Sequence, residues 1–338
     1  MISDEQRREA IQQLQGAMAL EVAFVGVANS LFSVLARLGA ASPATLAREA
    51  GADEGYVTRW CDAAFAFGYL EERGDELALS DLGGAFRPEA PGTLVPFAVQ
   101  SILGAHMAER AAAFTRTGER PGEVVLAERE TVLRWFGPML EGQFSPLFER
   151  EILPAIPAFG AAGERGGLVV DLGCGNGWYL RALAARWPRL RGLGLDGFSE
   201  NIRQAEERAR QSGLADRLSF REGDIHAFAL DEPASLISLN RALHHVWNEK
   251  ARLFALLARS LAPGGAAVIW EPAWPSQRTG LREIGRRAMA FQNLSEHVQG
   301  NHFLRPEEIE AALRSVGLTP RVHLFAGGNE AVVVGTRE

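Results

Sequence analysis

Ten residues, Val169 to Trp178, constrain this chain more than any others. Val-Val-Asp-Leu-Gly-Cys-Gly-Asn-Gly-Trp passes from a short apolar run through three alternating glycines into a helix-forming stretch. A sharp turn from buried strand to helix needs residues free to take positive φ, and without a Cβ those residues let a ligand lie against the backbone. The helix that follows, read over Trp178 to Arg186, offers unpaired N–H groups and a positive dipole end to an anion. Gly173, Gly175 and Gly177 lie two apart, whereas a dinucleotide fingerprint needs its third glycine three places after the second, where Trp178 stands. The loop is therefore poorly suited to a pyrophosphate, and an amino-acid carboxylate fits it as well as a phosphate.

Two further strand ends carry acids. Leu193-Gly-Leu-Asp196 reads as the next strand, and its carboxylate lies 25 residues beyond Asp171, where such an acid grips both hydroxyls of a ribose. A third strand, Leu218 to Arg221, leads into Gly223-Asp224-Ile225, placing a carboxylate where it can accept from an adenine amino group. A fourth strand and its loop follow in Ser235 to Val246. Leu261-Ala-Pro-Gly-Gly then precedes a fifth strand, Ala266 to Glu271.

In this order and spacing, from about Leu168 to Arg337, the chain resembles the class I S-adenosylmethionine-dependent methyltransferases. The resemblance implies an α/β fold with a Rossmann-like, seven-stranded and mainly parallel sheet. It ends on an antiparallel pair, Arg321 to Phe325 and Ala331 to Val334, joined through Gly327-Gly-Asn. It also implies S-adenosyl-L-methionine as cofactor, held by Asp171, Gly173, Gly175, Gly177, Asp196, Phe198, Gly223, Asp224, Ile225 and Asn240.

The first 110 residues carry no glycine-loop motif. Apolar helices are read over Leu20 to Leu31 and Leu31 to Leu38, and Ser42-Pro43 opens another that Gly51 stops. A third, Asp53 to Leu70, leads to a hairpin turning at Gly74-Asp75. Helix, turn, helix and hairpin make a winged helix, a module that often binds DNA. Between Thr45 and Asp81, however, Arg48, Arg59 and Arg73 face nine acids, the wrong sign for a phosphate backbone. The whole chain's net charge of −7 agrees. With a catalytic domain behind it, the module resembles that of the small-molecule O-methyltransferases, where it forms a dimer interface and closes the substrate pocket. The resemblance divides the chain into a winged-helix dimerisation domain over 1–110, connecting helices lining the pocket over 111–160, and a catalytic domain over 161–338. Trp135, Phe136, Met139, Phe144 and Phe148 stand on the connecting stretch.

Of the 338 residues 47% are hydrophobic and 23% charged, the balance of a soluble globular protein. No apolar run reaches membrane-spanning length without a charge or turn signal, and Met1 to Arg8 is too polar for a signal peptide. A cytoplasmic homodimer acting on a small molecule, with neither nucleic acid nor membrane as partner, is the expectation. Cys61 and Cys174 are the only cysteines, too few for a disulfide framework or a multi-cysteine zinc site.

Methyl transfer from a sulfonium is an in-line displacement, so a base must stand near the end of strand four. His244 does, in Leu243-His-His-Val-Trp, where the O-methyltransferases carry Leu-His-Asp-Trp and use that His as general base. Glu271 matches the acid that orients it. His245 replaces the usual acid, and the family's second supporting Glu has no position this sequence identifies. A second reading starts from His297 and His302, in an insertion after strand five expected to cover the pocket and to gather four histidines there. It resembles the α-keto-acid C-methyltransferases, in which a His, a following acid and a distant His hold a metal. His244, His245 and His297 then form a three-imidazole site for iron or zinc, provided the chain has left its strand before His244, because adjacent strand residues point opposite ways. A third reading keeps the cofactor but loses methyl transfer, as in pericyclase-like relatives.

Overall fold

The computed structural model describes residues 1–122, 124–127 and 130–338, with the side chains of 127, 130–134 and 136 outside the description; Phe136 therefore lies outside the described side chains. The chain divides into two compact units, Met1–Glu109 with Leu126–Gly142, and Arg110–Val125 with Gln143–Glu338. The stretch read as a connector is shared between them, Trp135 and Met139 falling in the first and Phe144 and Phe148 in the second.

In the first unit one 25-residue helix, Asp4–Ala28, begins at a capping box between Ser3 and Gln6. It absorbs most of the helix expected over Leu20 to Leu31, because the break falls at Asn29 and Ser30, where Ser30 takes φ 58. By length and composition it could cross a membrane, and 17% of its apolar window is buried within the chain. Leu31–Leu38, Pro43–Ala50 and Glu54–Ala66 follow, the last two capped by the side chains of Ser42 and Asp53. The helix expected to reach Leu70 stops at Ala66 because Gly68, at φ 75, turns the chain into the hairpin of β1 (Leu70–Arg73) and β2 (Glu76–Leu79). The core is a ring cluster of Phe32, Trp60, Tyr69 and Phe86, with neighbouring centroids 5.1 to 6.0 Å apart. Trp60 and Tyr69 place their polar ends on the carbonyls of Val22 and Ala19. Gly26 admits this packing, since a Cβ there would lie 2.4 Å from the Phe32 ring.

The second unit is built on seven strands: β3 (Leu168–Leu172), β4 (Arg191–Asp196), β5 (Leu218–Glu222), β6 (Ala234–Asn240), β7 (Leu261–Pro272), β8 (Thr319–Phe325) and β9 (Glu330–Thr336). Their order is β5-β4-β3-β6-β7-β9-β8, parallel throughout except for β9, which runs antiparallel to both neighbours. This is the Rossmann-like, seven-stranded sheet that the sequence resemblance implies. β7 begins five residues earlier than expected, pairing Leu261 with Ala234. Helices cover both faces, so the central strands read as near-continuous apolar runs, and Val170, Leu172, Ile237, Leu239, Ile269 and Val333 form one buried cluster. Winding outward from β3 through β4 to β5, then restarting at β6, opens a crevice at the carboxyl ends of the strands.

Candidate active site

The carboxyl ends of β3 to β7 carry Gly173, Asp196, Gly223, Asn240 and Glu271 at or just beyond the last strand residues. Gly173 and Gly177 take φ 75 and 73, and a Cβ on them would lie 2.6 Å from Ala242 and from the Phe220 ring, respectively. A side chain is therefore excluded at both by conformation and by space. Gly175, at φ 52, has nothing within 4 Å of its would-be Cβ, so the open face of the loop is here.

Asp196 ties the loop to its strand. Its Oδ2 accepts from the Gly175 N–H at 2.8 Å, and its Oδ1 from the Phe198 N–H and from Asn201 Nδ2, both at 3.0 Å. Asn201 is a supporting residue that the sequence reading missed. Asp171 is fully buried and accepts from Ser238 Oγ at 2.8 Å. Burial pushes its carboxyl up to about 7, with the Ser238 hydrogen bond opposing and Asp196 reinforcing. Asp224 is exposed, and the backbone N–H of His226 holds its carboxyl below the usual range. Phe198 is half exposed and Ile225 half-buried. Asn240 leaves its Oδ1 buried with no hydrogen-bond partner among the described residues. Cys174 is buried, and burial raises its thiol well above the ordinary value, which marks it as packing rather than reactive.

Beyond β6 the chain turns at Arg241, a non-glycine residue at φ 56, into one helical turn, Leu243–Val246. The turn settles the orientation question for the two histidines. Off the strand, His244 and His245 point to the same side with ring centroids 4.2 Å apart. Glu271 caps the turn: Oε1 accepts from the N–H groups of Leu243 at 2.7 Å and His244 at 3.3 Å, and Oε2 lies 2.6 Å from His244 Nδ1. Both side chains are buried. Burial alone would raise the Glu271 carboxyl, but His244, by charge and hydrogen bond, with Arg241 and His245, holds it below the ordinary value of 4.5. An ionised carboxylate only accepts, so Nδ1 carries the imidazole proton and Nε2 bears the lone pair.

His297 does not join this group. Its Nε2 lies 3.2 Å from Arg120 Nε, and His302 is exposed. Two histidines converge here rather than four. The third group is Glu296, on the helix Ile284–Val298, with Oε2 3.9 Å from His244 Nε2 and 3.8 Å from His245 Nδ1. Glu296 and His297 are neighbours on that helix, but the carboxylate faces the two histidines while His297 is exposed. The buried Met289, two turns earlier, was the available sign that position 296 continues the inner face. Asn301 Nδ2 donates to His245 Nδ1 at 2.9 Å and reaches Glu296 Oε2 at 3.3 Å.

A second missed feature braces the turn. Arg241 Nη1 and Trp270 Nε1 both donate to Glu330 Oε2 at 2.7 Å, and the guanidinium lies 4.1 Å from the Phe144 ring centroid. This ties the ends of β6, β7 and β9 beside His244.

A family model described as a methyltransferase domain matches residues 169–265. The trans-aconitate 2-methyltransferase of Methylobacterium nodulans is 33% identical over 172 residues, 47% of this chain and 62% of that protein, so the match spans less than two thirds of its length. The ubiquinone biosynthesis O-methyltransferase of Paracidovorax citrulli is 30% identical over 203 residues, covering 56% of this chain and 78% of its own. Among solved structures, human N-acetylserotonin methyltransferase in complex with S-adenosylmethionine shares the fold. Its TM-score is 0.76 over 99% of this chain and 98% of its own, at 19% identity.

Proposed function

The chain belongs to the class I S-adenosylmethionine-dependent methyltransferases, and from that premise we propose that it methylates a hydroxyl of a small molecule of specialised metabolism, with His244 as general base. The observation that carries this reading is the 2.6 Å contact between buried His244 Nδ1 and Glu271, which leaves Nε2 as a fixed, unprotonated acceptor. The residues at the strand ends fit the cofactor. Its ammonium, ribose hydroxyls and adenine amino group are all donors, and Asp171, Asp196, Asp224 and the orphaned Asn240 Oδ1 are all acceptors. When bound, the cofactor supplies an activated methyl group on sulfur. His244 Nε2 takes the acceptor's proton as the oxygen–carbon bond forms and the sulfur–carbon bond breaks, while Glu271 stabilises the resulting imidazolium. The P. citrulli relative, named as an O-methyltransferase, supports oxygen as the acceptor atom.

One observation favours a second reading. His244 Nε2, His245 Nδ1 and Glu296 Oε2 lie within 4.8 Å of one another, a two-histidine, one-carboxylate set suited to iron or zinc, with Glu296 in the place given to His297. On this reading the product is a C-methylated α-keto acid. The hydrogen bond from Asn301 already occupies His245 Nδ1, which favours the base. Transfer of labelled methyl from S-adenosylmethionine, run in chelator with protein free of a histidine tag, separates the readings. Base chemistry gives a methoxy product in metal-free protein. Stoichiometric iron or zinc, chelator-sensitive turnover and label on carbon give the metal reading, and an unmethylated product with the cofactor unconsumed gives the cyclase.

The partner that the first unit fits is a second copy of the chain. Ile11, Leu14, Met18 and Val25 follow helical spacing on Asp4–Ala28 and are all exposed. Light scattering is expected to give about twice the chain mass of 36.7 kDa. A monomer at micromolar concentration contradicts the dimer, and salt-sensitive binding to duplex DNA contradicts the exclusion of nucleic acid. A cytoplasmic location remains part of this reading.

A further inference from the structure

Asp224 and His226 stand two residues apart just beyond β5, and their contacts go further than holding a loop. The Oδ1 of Asp224 is occupied twice, by the His226 backbone N–H at 2.8 Å and by His226 Nδ1 at 2.9 Å. Its Oδ2 accepts nothing among the described residues, and the side chain is 56% exposed. The His226 side chain is only 13% exposed, and its Nε2 is buried with no hydrogen-bond partner among the described residues. A proton on that nitrogen would be a buried donor with no acceptor, so the single ring proton sits on Nδ1 and is donated to Asp224.

We propose that His226 is a positioning residue that locks the Asp224 carboxylate with one oxygen turned outward, making it a selector for the 6-amino group of the cofactor's purine. The proposal rests on the reading that this strand end receives the adenine. Without the ring, Asp224 keeps one backbone hydrogen bond and can rotate about χ2, a soft torsion in aspartate. With the ring, Oδ1 is saturated and Oδ2 alone faces the ligand. A fixed carboxylate oxygen accepts from an amino group and meets a 6-oxo group lone pair to lone pair. Discrimination of this kind, between a donor and an acceptor at a site able only to accept, is large.

The test compares affinities for S-adenosylhomocysteine and its 6-oxo counterpart, S-inosylhomocysteine, by calorimetry on the intact chain. Wild type is expected to prefer the amino form by on the order of 10- to 100-fold. His226→Leu and His226→Phe, two ways of removing the Nδ1 donor, should collapse that ratio chiefly by weakening the amino ligand. His226→Asn, which restores a donor near Nδ1, should recover most of it. A ratio of two affinities on one folded variant does not respond to a general loss of stability, so a merely structural role would leave it unchanged. An undiminished ratio in either donorless variant overturns the proposal, as does a wild type that binds both ligands equally. A wild type that binds neither overturns the underlying cofactor reading instead.

Discussion

Replacing Glu271 by alanine is expected to cost the fold about 1–3 kcal/mol for each buried donor left without a partner, and to abolish turnover. Glu271 is fully buried, and its two oxygens serve three donors, the N–H groups of Leu243 and His244 and the imidazole Nδ1. Alanine leaves all three without a partner away from water, and each buried donor carries its own desolvation cost. Glu271→Gln keeps the volume and one acceptor oxygen, so it should lose less stability. It should still lose most turnover, because an amide cannot hold the imidazole in one tautomer as a carboxylate does. Chemical denaturation of wild type and both variants measures the difference. The sign with pH follows from the carboxyl being held below its ordinary 4.5. Its stabilising contribution is fully present above pH 4.5 and is lost as pH falls through the lower folded value, a dependence Glu271→Gln should lack. An alanine variant as stable as wild type would mean that the Glu271 contacts do not hold the turn that presents His244.

The parts of this protein that were legible in its sequence are those specified locally. The glycine loop reads correctly because Gly173 and Gly177 need positive φ at a strand-to-helix turn, and no other residue takes it cheaply. The strand ends are legible in the same way: β4 stops at Asp196, where its apolar run ends, and Asp224 lies two residues beyond the end of β5. What stayed hidden depends on which side chains meet across long separations. Arg241 and Glu330 are 89 residues apart, and no local pattern links them. Glu296 is not legible beside His297 because either residue type can ligate a metal, and only the helix phase marked by buried Met289 shows that the carboxylate turns inward. The full length of the Asp4–Ala28 helix is hidden in the sequence because its exposed apolar stripe blurs the usual inside-to-outside alternation. The same stripe is the feature a second copy of the chain would bury.

The central claim is that His244 removes the acceptor's proton, and it is tested most directly by turnover and cofactor affinity measured together on His244→Ala and His244→Asn. Positioned general bases contribute roughly 10²–10⁴-fold, so both variants should lose that much kcat for methyl transfer to a hydroxyl. Asparagine can still donate to Glu271 from near the position of Nδ1, which keeps the buried carboxylate partnered and separates loss of the base from loss of the fold. S-adenosylhomocysteine affinity should be unchanged in His244→Asn, because the residues proposed to hold the cofactor remain in place. A folded His244→Asn variant that binds S-adenosylhomocysteine normally and methylates its hydroxyl acceptor at the wild-type rate would contradict the account.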